Sequence, residues 1–490
     1  METQSLEKEF QQLLKTIKLY HPEADLEMVK LAFEFAKTAH AGQKRMSGEE
    51  YIYHPLATAQ TLAELKLSPT IIIAGLLHDV PEDTKFTIKD IQKDFGEDVA
   101  SLVNGITKLG TIKYRGMERY IENLRKMFIS MAEDLRVILI KFADRLHNLK
   151  TLYALPRNKQ IRIASEVLEI YAPIANRLGM YEMKGRLEEE AFKYLYPKEY
   201  NWIKQIVEEQ GKIKEKYLEK NIDFIKQVLK NEKIDFIEVR GRVKQLYSLY
   251  QKLIKHDKDI NRVYDFVALR IIVKDMPTCY AVMGIIHREM KPLKGRIKDF
   301  IAQPKPNGYS SLHTTVFTPE GEIIEIQIRT KEMDEEAEYG IAAHWHYDEK
   351  GSIRPDKKMK WLKELTKWQK EITENQKLLE RLKIDVFQDR IFVFTPKGDV
   401  IDLPKESTPI DFAYHVHTEI GNKCAGALIN NHIASLDTAL KSGDMIEILI
   451  DKNRKYPNQD WIKFAKTSVA KGKIRTILAK RTLFEKFLKK

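Results

Sequence analysis

From Leu6 to about Lys230 apolar residues recur at helical spacing, as in Leu26, Val29, Ala32 and Phe33 or Leu135, Ile138 and Leu139. No stretch there alternates like a strand, so the first part of the chain is restricted to an all-helical fold. The pattern breaks at residues 234–239, and short β-branched runs follow at 266–273, 312–317 and 323–328, separated by helical stretches at 244–256 and 278–290. That mixture predicts an α+β domain. A charged helical segment at 357–383 leads to further short runs at 390–394, 400–403, 425–429 and 445–450, punctuated by Pro-Lys-Gly-Asp and Ser-Gly-Asp turns. These predict a small β-rich module. The 490 residues suit three or four domains. The expected multidomain α+β chain has an all-helical domain at 1–196, a helical connector at 197–234, a mixed α/β domain at 235–346, a helical linker at 347–387, a β module at 388–451 and a basic helical tail at 452–490.

Charge sharpens the last boundary. Residues 451–490 hold 13 Lys/Arg and 3 Asp/Glu, so +10 of the chain's +12 lies in the tail and the first 450 residues carry only +2. Ile474, Ile477 and Leu478 among Lys471, Lys473, Arg475, Lys480 and Arg481 read as an amphipathic basic helix, either a solvated face or one that meets RNA. The longest apolar stretch, 71–77, is far short of a membrane span, and the N-terminus has no signal-peptide pattern. Cys279 and Cys424 are isolated, which fits a reducing cytoplasm. A soluble cytoplasmic chain is expected.

In the helical domain His54, the pair His78-Asp79, the pair Glu82-Asp83 and Asp144 fall in the order H…HD…D. Two imidazoles and two carboxylates form a mixed N/O set suited to Mn²⁺, Fe²⁺ or Zn²⁺. A metal so held acidifies water and polarises a phosphoryl group. Glu82 and Asp83, one turn on, are placed to carry protons or order the water. His147 and Asn148 share a helical face with Asp144. Read singly, His78-Asp79 is a cap or surface pair, and His54 before Pro55 a helix N-terminal feature. Jointly the order resembles the HD phosphohydrolases. The segments Ala39-His-Ala-Gly-Gln, Tyr51-Ile-Tyr-His-Pro, Leu77-His-Asp-Val-Pro-Glu-Asp-Thr, Gly105-Ile-Thr-Lys-Leu-Gly and Asp144-Arg-Leu-His-Asn-Leu-Lys-Thr-Leu resemble more narrowly the hydrolase domain of the RelA/SpoT homologues, which make and destroy the alarmone (p)ppGpp. The resemblance implies Mn²⁺ on His54, His78, Asp79 and Asp144, assistance from Glu82 and Asp83 in removing the 3′-pyrophosphate, and nucleotide contacts from Arg45 and Asn148. Met46 departs from a commonly basic position, and Pro81 interrupts helix continuity between the ligand pair and the acidic pair.

In the α+β domain Arg240, Arg242, Lys244 and Lys252 flank the expected start of a helix, and Lys294, Arg296, Lys298 and Lys305 form a second basic strip. Charge and backbone N–H groups together favour phosphate at such a place. Asp265 and Glu325 are placed to hold Mg²⁺ and to accept a proton, and Tyr309 to stack on a base; singly, these are ordinary surface residues. There is no GxxxxGK[ST] loop, so any ATP site is of another kind. The segments Gly241-Arg-Val-Lys-Gln-Leu-Tyr-Ser-Leu-Tyr, Tyr264-Asp-Phe-Val-Ala-Leu-Arg, Gly308-Tyr-Ser-Ser-Leu-His-Thr-Thr and Glu325-Ile-Gln-Ile-Arg-Thr resemble the nucleotidyltransferase-like synthetase domain of the same family. That likeness implies transfer of pyrophosphate from ATP to the 3′-hydroxyl of GDP or GTP. By position, Arg242, Lys244, Ser248 and Lys252 would contact ATP, Asp265 would bind Mg²⁺, and Glu325 would activate the 3′-oxygen. Tyr309 would stack on guanine, with Lys298, Lys305, Asn307, His313 and Gln327 around the acceptor. The run Arg296-Ile-Lys-Asp is similar to the basic form of this motif in bifunctional relatives.

Asp389-Arg-Ile-Phe-Val-Phe, Asp411-Phe-Ala-Tyr-His-Val-His-Thr-Glu-Ile-Gly and Lys441-Ser-Gly-Asp-Met-Ile-Glu-Ile resemble a TGS domain, a β-grasp that in this family contacts uncharged tRNA on the ribosome. His415 or His417 either faces that RNA or is structural. The chain stops at Lys490, where longer relatives continue into regulatory modules. The expected function is a bifunctional (p)ppGpp synthetase and hydrolase of the stringent response, with two mutually exclusive states. Alternatives are a hydrolase with an inactive synthetase domain and a non-catalytic tRNA- or ribosome-binding adaptor.

Overall fold

The computed structural model describes residues 2–110, 127, 130–131, 133–255, 267–305, 307–345, 390–396, 400–441, 443–454 and 456–487. The expected linker helix at 357–383 and Asp265 lie outside the described residues. The chain divides into two compact units, Met1–Lys367 and Trp368–Lys490.

The first unit begins with helices α1 (Glu2–Tyr20), α2 (Glu27–Ala39), α3 (Tyr53–Glu64), α4 (Pro69–Leu77), α5 (Val80–Asp83), α6 (Ile88–Gly110) and α7 (Arg136–Lys150). Helix α4 is apolar on all sides, buries every residue from Ile71 to Leu77 and packs against α2, α3, α6 and α7. An all-round apolar helix of nine residues has to be the centre of a bundle. Gly75 lets it lie close against α3, since a Cβ there would come within 2.5 Å of Leu62 Cδ1. Helices α8 (Arg157–Glu166), α9 (Ala172–Arg177) and α10 (Tyr181–Leu195) complete the helical part, with one π-helical turn at Val167–Tyr171 before α9.

The 35-residue helix α11 (Pro197–Asn231) follows. It lies against a five-stranded sheet of order β1-β2-β5-β4-β3, made by β1 (Phe236–Val243), β2 (Val267–Val273), β3 (Lys298–Asp299), β4 (Leu312–Phe317) and β5 (Ile323–Thr330). Strands β2 and β5 run parallel and the other pairs antiparallel. Leu218, Ile225 and Leu229 of α11 join Leu269, Ile271, Ile326 and Ile328 of the sheet, together with α12 (Leu246–Lys255) and α13 (Met276–Glu289), in one core. The sequence places Arg240 and Arg242 beside a helix start, but both are on β1, because Gly241 and Arg242 continue the ladder opposite Leu269 and Ala268. Gly241 is there for close approach rather than as a breaker, since a Cβ would lie 2.0 Å from Leu218 Cδ2. Helix α14 (Lys331–Tyr339) closes the domain.

In the second unit β6 (Arg390–Phe394) and β7 (Val400–Pro404) form a hairpin, and β8 (Cys424–Ile429), β9 (His432–Ala434) and β10 (Ile446–Ile450) a three-stranded sheet. Helices α15 (Pro409–Val416) and α16 (Thr418–Lys423) connect the hairpin to β8, and α17 (Trp461–Phe464) and α18 (Ser468–Phe487) come after the last strand. The basic helix α18 spends its apolar face internally: Ala470 and Ile474 are buried with Trp461, Ala465, Ile410 and Tyr414. The joint is the buried Asp411, which caps α15 at Thr408 and accepts from the backbone N–H of Lys466 at 3.0 Å and of Thr467 at 2.7 Å. No described helix is long and apolar enough to cross a membrane.

Two candidate active sites

The first site is assembled where α3, α4 and α7 meet. His54 comes from the first turn of α3, His78 caps the C-terminus of α4, Asp79 follows it, and Asp144 is on α7. Ligand atoms of His54, His78 and Asp144 lie within 4.8 Å of one another, all buried. Asp79 completes the ring: His54 Nε2 is 3.3 Å from Asp79 Oδ2 and 3.4 Å from Asp144 Oδ1, and His78 Nε2 is 3.2 Å from Asp79 Oδ1.

The donor chemistry of this ring fits a divalent cation. His78 Nδ1 donates to the carbonyl of Gly75 at 2.7 Å, which leaves Nε2 as a lone pair, buried and without a hydrogen bond. Burial lowers the pKa of His78, against the pull of Asp79, so the ring is neutral. A lone pair facing a carboxylate oxygen at 3.2 Å is unfavourable unless a cation stands between them. Burial pushes both carboxyls up, but the adjacent His78 and His54 bring Asp79 down, and Asp144 is held well below the usual range chiefly by Lys141, whose Nζ is 2.6 Å from Oδ2.

The supporting groups are ordered as well. The Tyr51 hydroxyl lies 2.9 Å from Asp79 Oδ2 and 2.6 Å from Asp83 Oδ2, linking the ligand pair to the acidic pair. Tyr51 is stacked on His40, with ring centroids 4.5 Å apart. Pro81 sits in the first turn of α5, where its missing N–H leaves no gap, and the Glu82 and Asp83 N–H groups both donate to the Asp79 carbonyl. The interruption expected there is a short new helix. Glu82 is exposed, but partial desolvation of its carboxyl and the nearby Asp79, Asp83 and Asp144, opposed by Lys141, leave it pushed up to about 7. Asn148 donates to Asp144 Oδ1, and Arg45 donates to Asn148 Oδ1 and to His147 Nδ1. Met46 is 75% exposed, away from this network.

The second site is on the polar face of the sheet. Strand register places Arg240, Arg270, Gln327, His313 and Lys298 in one row across the five strands, with Arg242, Ala268, Glu325 and Thr315 in the next. Side chains two apart on a strand share a face, so residues separated by up to 87 positions in sequence are brought together here. Arg240 and Arg270 both bind Asp334 and Glu338, at 2.7 to 2.9 Å, and fasten α14 to the sheet. The Glu325 carboxylate accepts from Gln327 Nε2 at 2.8 Å and lies 3.3 Å from His313 Nδ1. Burial would raise its pKa, but His313, Gln327 and Lys252 together pull it down to about 2. Ser248 and Lys252 are one turn apart on α12, and Lys244 lies just before that helix.

On the acceptor side Tyr309 is buried, its hydroxyl 2.7 Å from His313 Nε2 and 2.9 Å from Arg329 Nη2. Lys305 Nζ stands 4.7 Å and 4.8 Å from the ring centroids of Phe300 and Tyr309. Asn307 reaches back to the helical part, donating to the Asn176 carbonyl at 3.0 Å and to the Tyr181 hydroxyl. The sequence reading assigned no role to Tyr51, Lys141, His147, Tyr181 or Arg329. For Arg329 a signal was available: it shares the 325, 327, 329 alternation of β5. The partners of the others come from distant segments.

Residues 32–181 match the HD domain family, residues 241–352 the region found in RelA / SpoT proteins, and residues 391–450 the TGS domain. Over 466 residues the chain is 45% identical to the GTP pyrophosphokinase of Myxococcus xanthus, covering 94% of this chain and 61% of that one. It is 46% identical to the guanosine-3′,5′-bis(diphosphate) 3′-pyrophosphohydrolase of Aquifex aeolicus, covering 97% of this chain and 67% of that one. With the bifunctional (p)ppGpp synthase/hydrolase SpoT of Escherichia coli it shares 43% identity, over 96% of this chain and 67% of the relative. The chain thus spans about two thirds or less of the length of these relatives.

Proposed function

The chain belongs to the RelA/SpoT family, and from that membership we propose that it is a bifunctional alarmone enzyme, synthesising (p)ppGpp from ATP and GDP or GTP and hydrolysing its 3′-pyrophosphate. The observation that supports the reading is that one chain carries two polar clusters: the buried His54, His78 and Asp144 with Asp79 beside them, and Glu325 held as a carboxylate among basic side chains.

In the hydrolase, His54, His78, Asp79 and Asp144 would hold a divalent ion, which the family resemblance makes Mn²⁺. The ion would polarise the scissile phosphate and acidify water. Glu82, with a carboxyl near neutrality, is suited to pass a proton between water and the leaving 3′-oxygen. Tyr51 keeps Asp83 oriented beside it. Arg45 and Asn148 at the rim would meet the nucleotide. In the synthetase, Arg242, Lys244, Ser248 and Lys252 would hold the ATP phosphates, and Asp265 would bind Mg²⁺. Glu325 would take the proton from the 3′-hydroxyl as it attacks the β-phosphorus of ATP, with AMP leaving. Lys298, Lys305, Asn307, Tyr309, His313 and Gln327 would surround the acceptor. Because the two reactions would otherwise cycle futilely, they belong to mutually exclusive states. The β-grasp unit, through His415 or His417, and the basic helix after it would contact uncharged tRNA on the ribosome, in the cytoplasm.

The test is to assay both reactions on the wild type, Asp79→Ala and Glu325→Ala. Loss of hydrolysis alone in the first and of synthesis alone in the second is expected. Loss of both in either folded variant would sink the two-site assignment, and salt-sensitive tRNA binding with neither reaction would select a non-catalytic adaptor.

A further inference from the structure

We propose that Arg329 is a positioning residue for the acceptor side of the synthetase site, fixing Tyr309 and Gln327 on either side of Glu325 through two hydrogen-bonded arms. The proposal rests on the reading of that site given above. Arg329 is fully buried, 0% exposed, at the C-terminal end of β5. Its Nη2 donates to the Tyr309 hydroxyl at 2.9 Å and to Gln327 Oε1 at 2.8 Å. A guanidinium has five donors and no acceptor, so it sets the direction of every bond beyond it.

Along the first arm the Tyr309 oxygen accepts from Arg329, and its own proton goes to His313 Nε2 at 2.7 Å. His313 is partly buried, which lowers its pKa and keeps it neutral, so its remaining proton is on Nδ1, which faces Glu325 Oε1 at 3.3 Å. Along the second arm the Gln327 carbonyl oxygen accepts from Arg329, which turns its amide nitrogen to Glu325 Oε1 at 2.8 Å. Both arms end on the same carboxylate oxygen. Five side chains close a ring in which Arg329 only donates and Glu325 only accepts.

A buried cation far from water is costly unless something compensates it. Asp334 Oδ1 at 3.4 Å and the Tyr309 ring, 5.2 Å from the guanidinium carbon, do so here. Asp334 also binds Arg270, so the compensating charge is itself anchored to the sheet. Lysine at 329 would supply a point charge without the fork that reaches Tyr309 and Gln327 together. Arg329 does not reach the reacting atoms; it acts through the groups that do.

The experiment uses the full chain with Arg329→Met and Arg329→Lys, measuring synthesis, hydrolysis and calorimetric binding of GDP. For Arg329→Met, KM and Kd for GDP are expected to rise about tenfold or more, as befits losing hydrogen bonds from a charged donor, with KM for ATP within about twofold. Synthesis should also show a new acidic limb, moved up from the wild-type one by up to about one unit, because Gln327 and His313, no longer held by Arg329, donate less well to the buried Glu325, although Lys252 still faces it. Arg329→Lys should fall between. Hydrolysis at the wild-type rate shows that the variant is folded. An unchanged KM for GDP with no new acidic limb overturns the proposal, even if the folded fraction falls, because a merely structural role predicts that pattern. If neither variant folds, Tyr309→Phe decides: it cuts the first arm without stranding a charge, and wild-type values for both readouts overturn the proposal. If the wild type binds GDP in an Arg329-dependent way but forms no product, the transfer reading fails and the positioning role stands. If the wild type binds no GDP, both fail.

Discussion

The Nδ1 atoms of His54 and His147 stand 2.8 Å apart, so one of them carries a proton and the other a lone pair. Arg45 decides which, because its Nη1 donates to the same His147 Nδ1 at 2.9 Å and makes that atom the acceptor. Burial, reinforced by the positive charge of Arg45, holds His147 neutral, with its pKa down to about 3. His54 therefore carries a proton on Nδ1, and its Nε2, close to Asp79 and Asp144, is the nitrogen that would meet a cation. Both imidazoles of the ring are tautomer-locked, His54 through His147 and His78 through the Gly75 carbonyl.

His147→Ala should weaken Mn²⁺ binding about 10- to 100-fold by releasing His54, the range typical of outer-sphere partners. Titration of the full chain, with free Mn²⁺ read by its paramagnetic resonance, checks this independently of turnover. Synthesis should be unaffected, and wild-type affinity would show that His54 needs no such lock.

Glu325 has its pKa depressed to about 2, so its interactions stabilise the folded protein above the ordinary carboxylate range and are lost as pH falls from about 4.5 through about 2. At neutral pH the group is fully ionised. Replacing Gln327 by Leu removes one donor while leaving the burial, so the acidic limb of kcat/KM for synthesis should move up by about one unit or more. A pH profile superimposable on the wild type would show that Glu325 does not set it.

Gly340, immediately after α14, has φ 57° and ψ −129°, and a Cβ there would lie 2.4 Å from the Leu178 carbonyl oxygen. The obstacle is backbone, which cannot swing aside. Gly340→Ala should lower the stability of the catalytic unit by about 2 kcal/mol or more, from strain and displaced contact together. The adjacent bond from the Ile341 N–H to the Leu178 carbonyl, 2.9 Å, should exchange faster with solvent in the variant. Thermal unfolding and amide exchange test both.

Asp411→Ala removes a buried carboxylate that serves Thr408, Lys466 and Thr467 at once. Several N–H groups then lose their acceptor, at about 1 to 3 kcal/mol each. Helix α18 should become an early site of proteolysis, while hydrolysis and synthesis, which use residues of the other unit, persist. Undiminished resistance of α18 would show that its apolar contacts suffice.

Some of this could be read from the sequence. The spacing of apolar residues gave an all-helical beginning, an α+β middle and a β-rich module, because helical and strand periodicities are local properties. The order of His54, His78-Asp79 and Asp144 pointed to a candidate ligand set, whose members the structure brings together, and the family likeness proposed Glu325 and Tyr309 for a second site. Asp265 and the charged segment at 357–383 fall outside the described residues. What only the tertiary structure decided was partnership. The chain shows Arg45, His54 and His147 as three separated residues, and nothing local says that the first two donate to one nitrogen of the third. Arg240 and Arg242 read as part of a helix start because their place on β1 depends on pairing with β2, which lies more than twenty residues further on. Arg329 reads as one more basic side chain until strand register and burial join it to Tyr309 and Gln327. Residue type and spacing fix which groups can bind or donate, whereas the direction of each hydrogen bond depends on long-range packing, which a single sequence does not display.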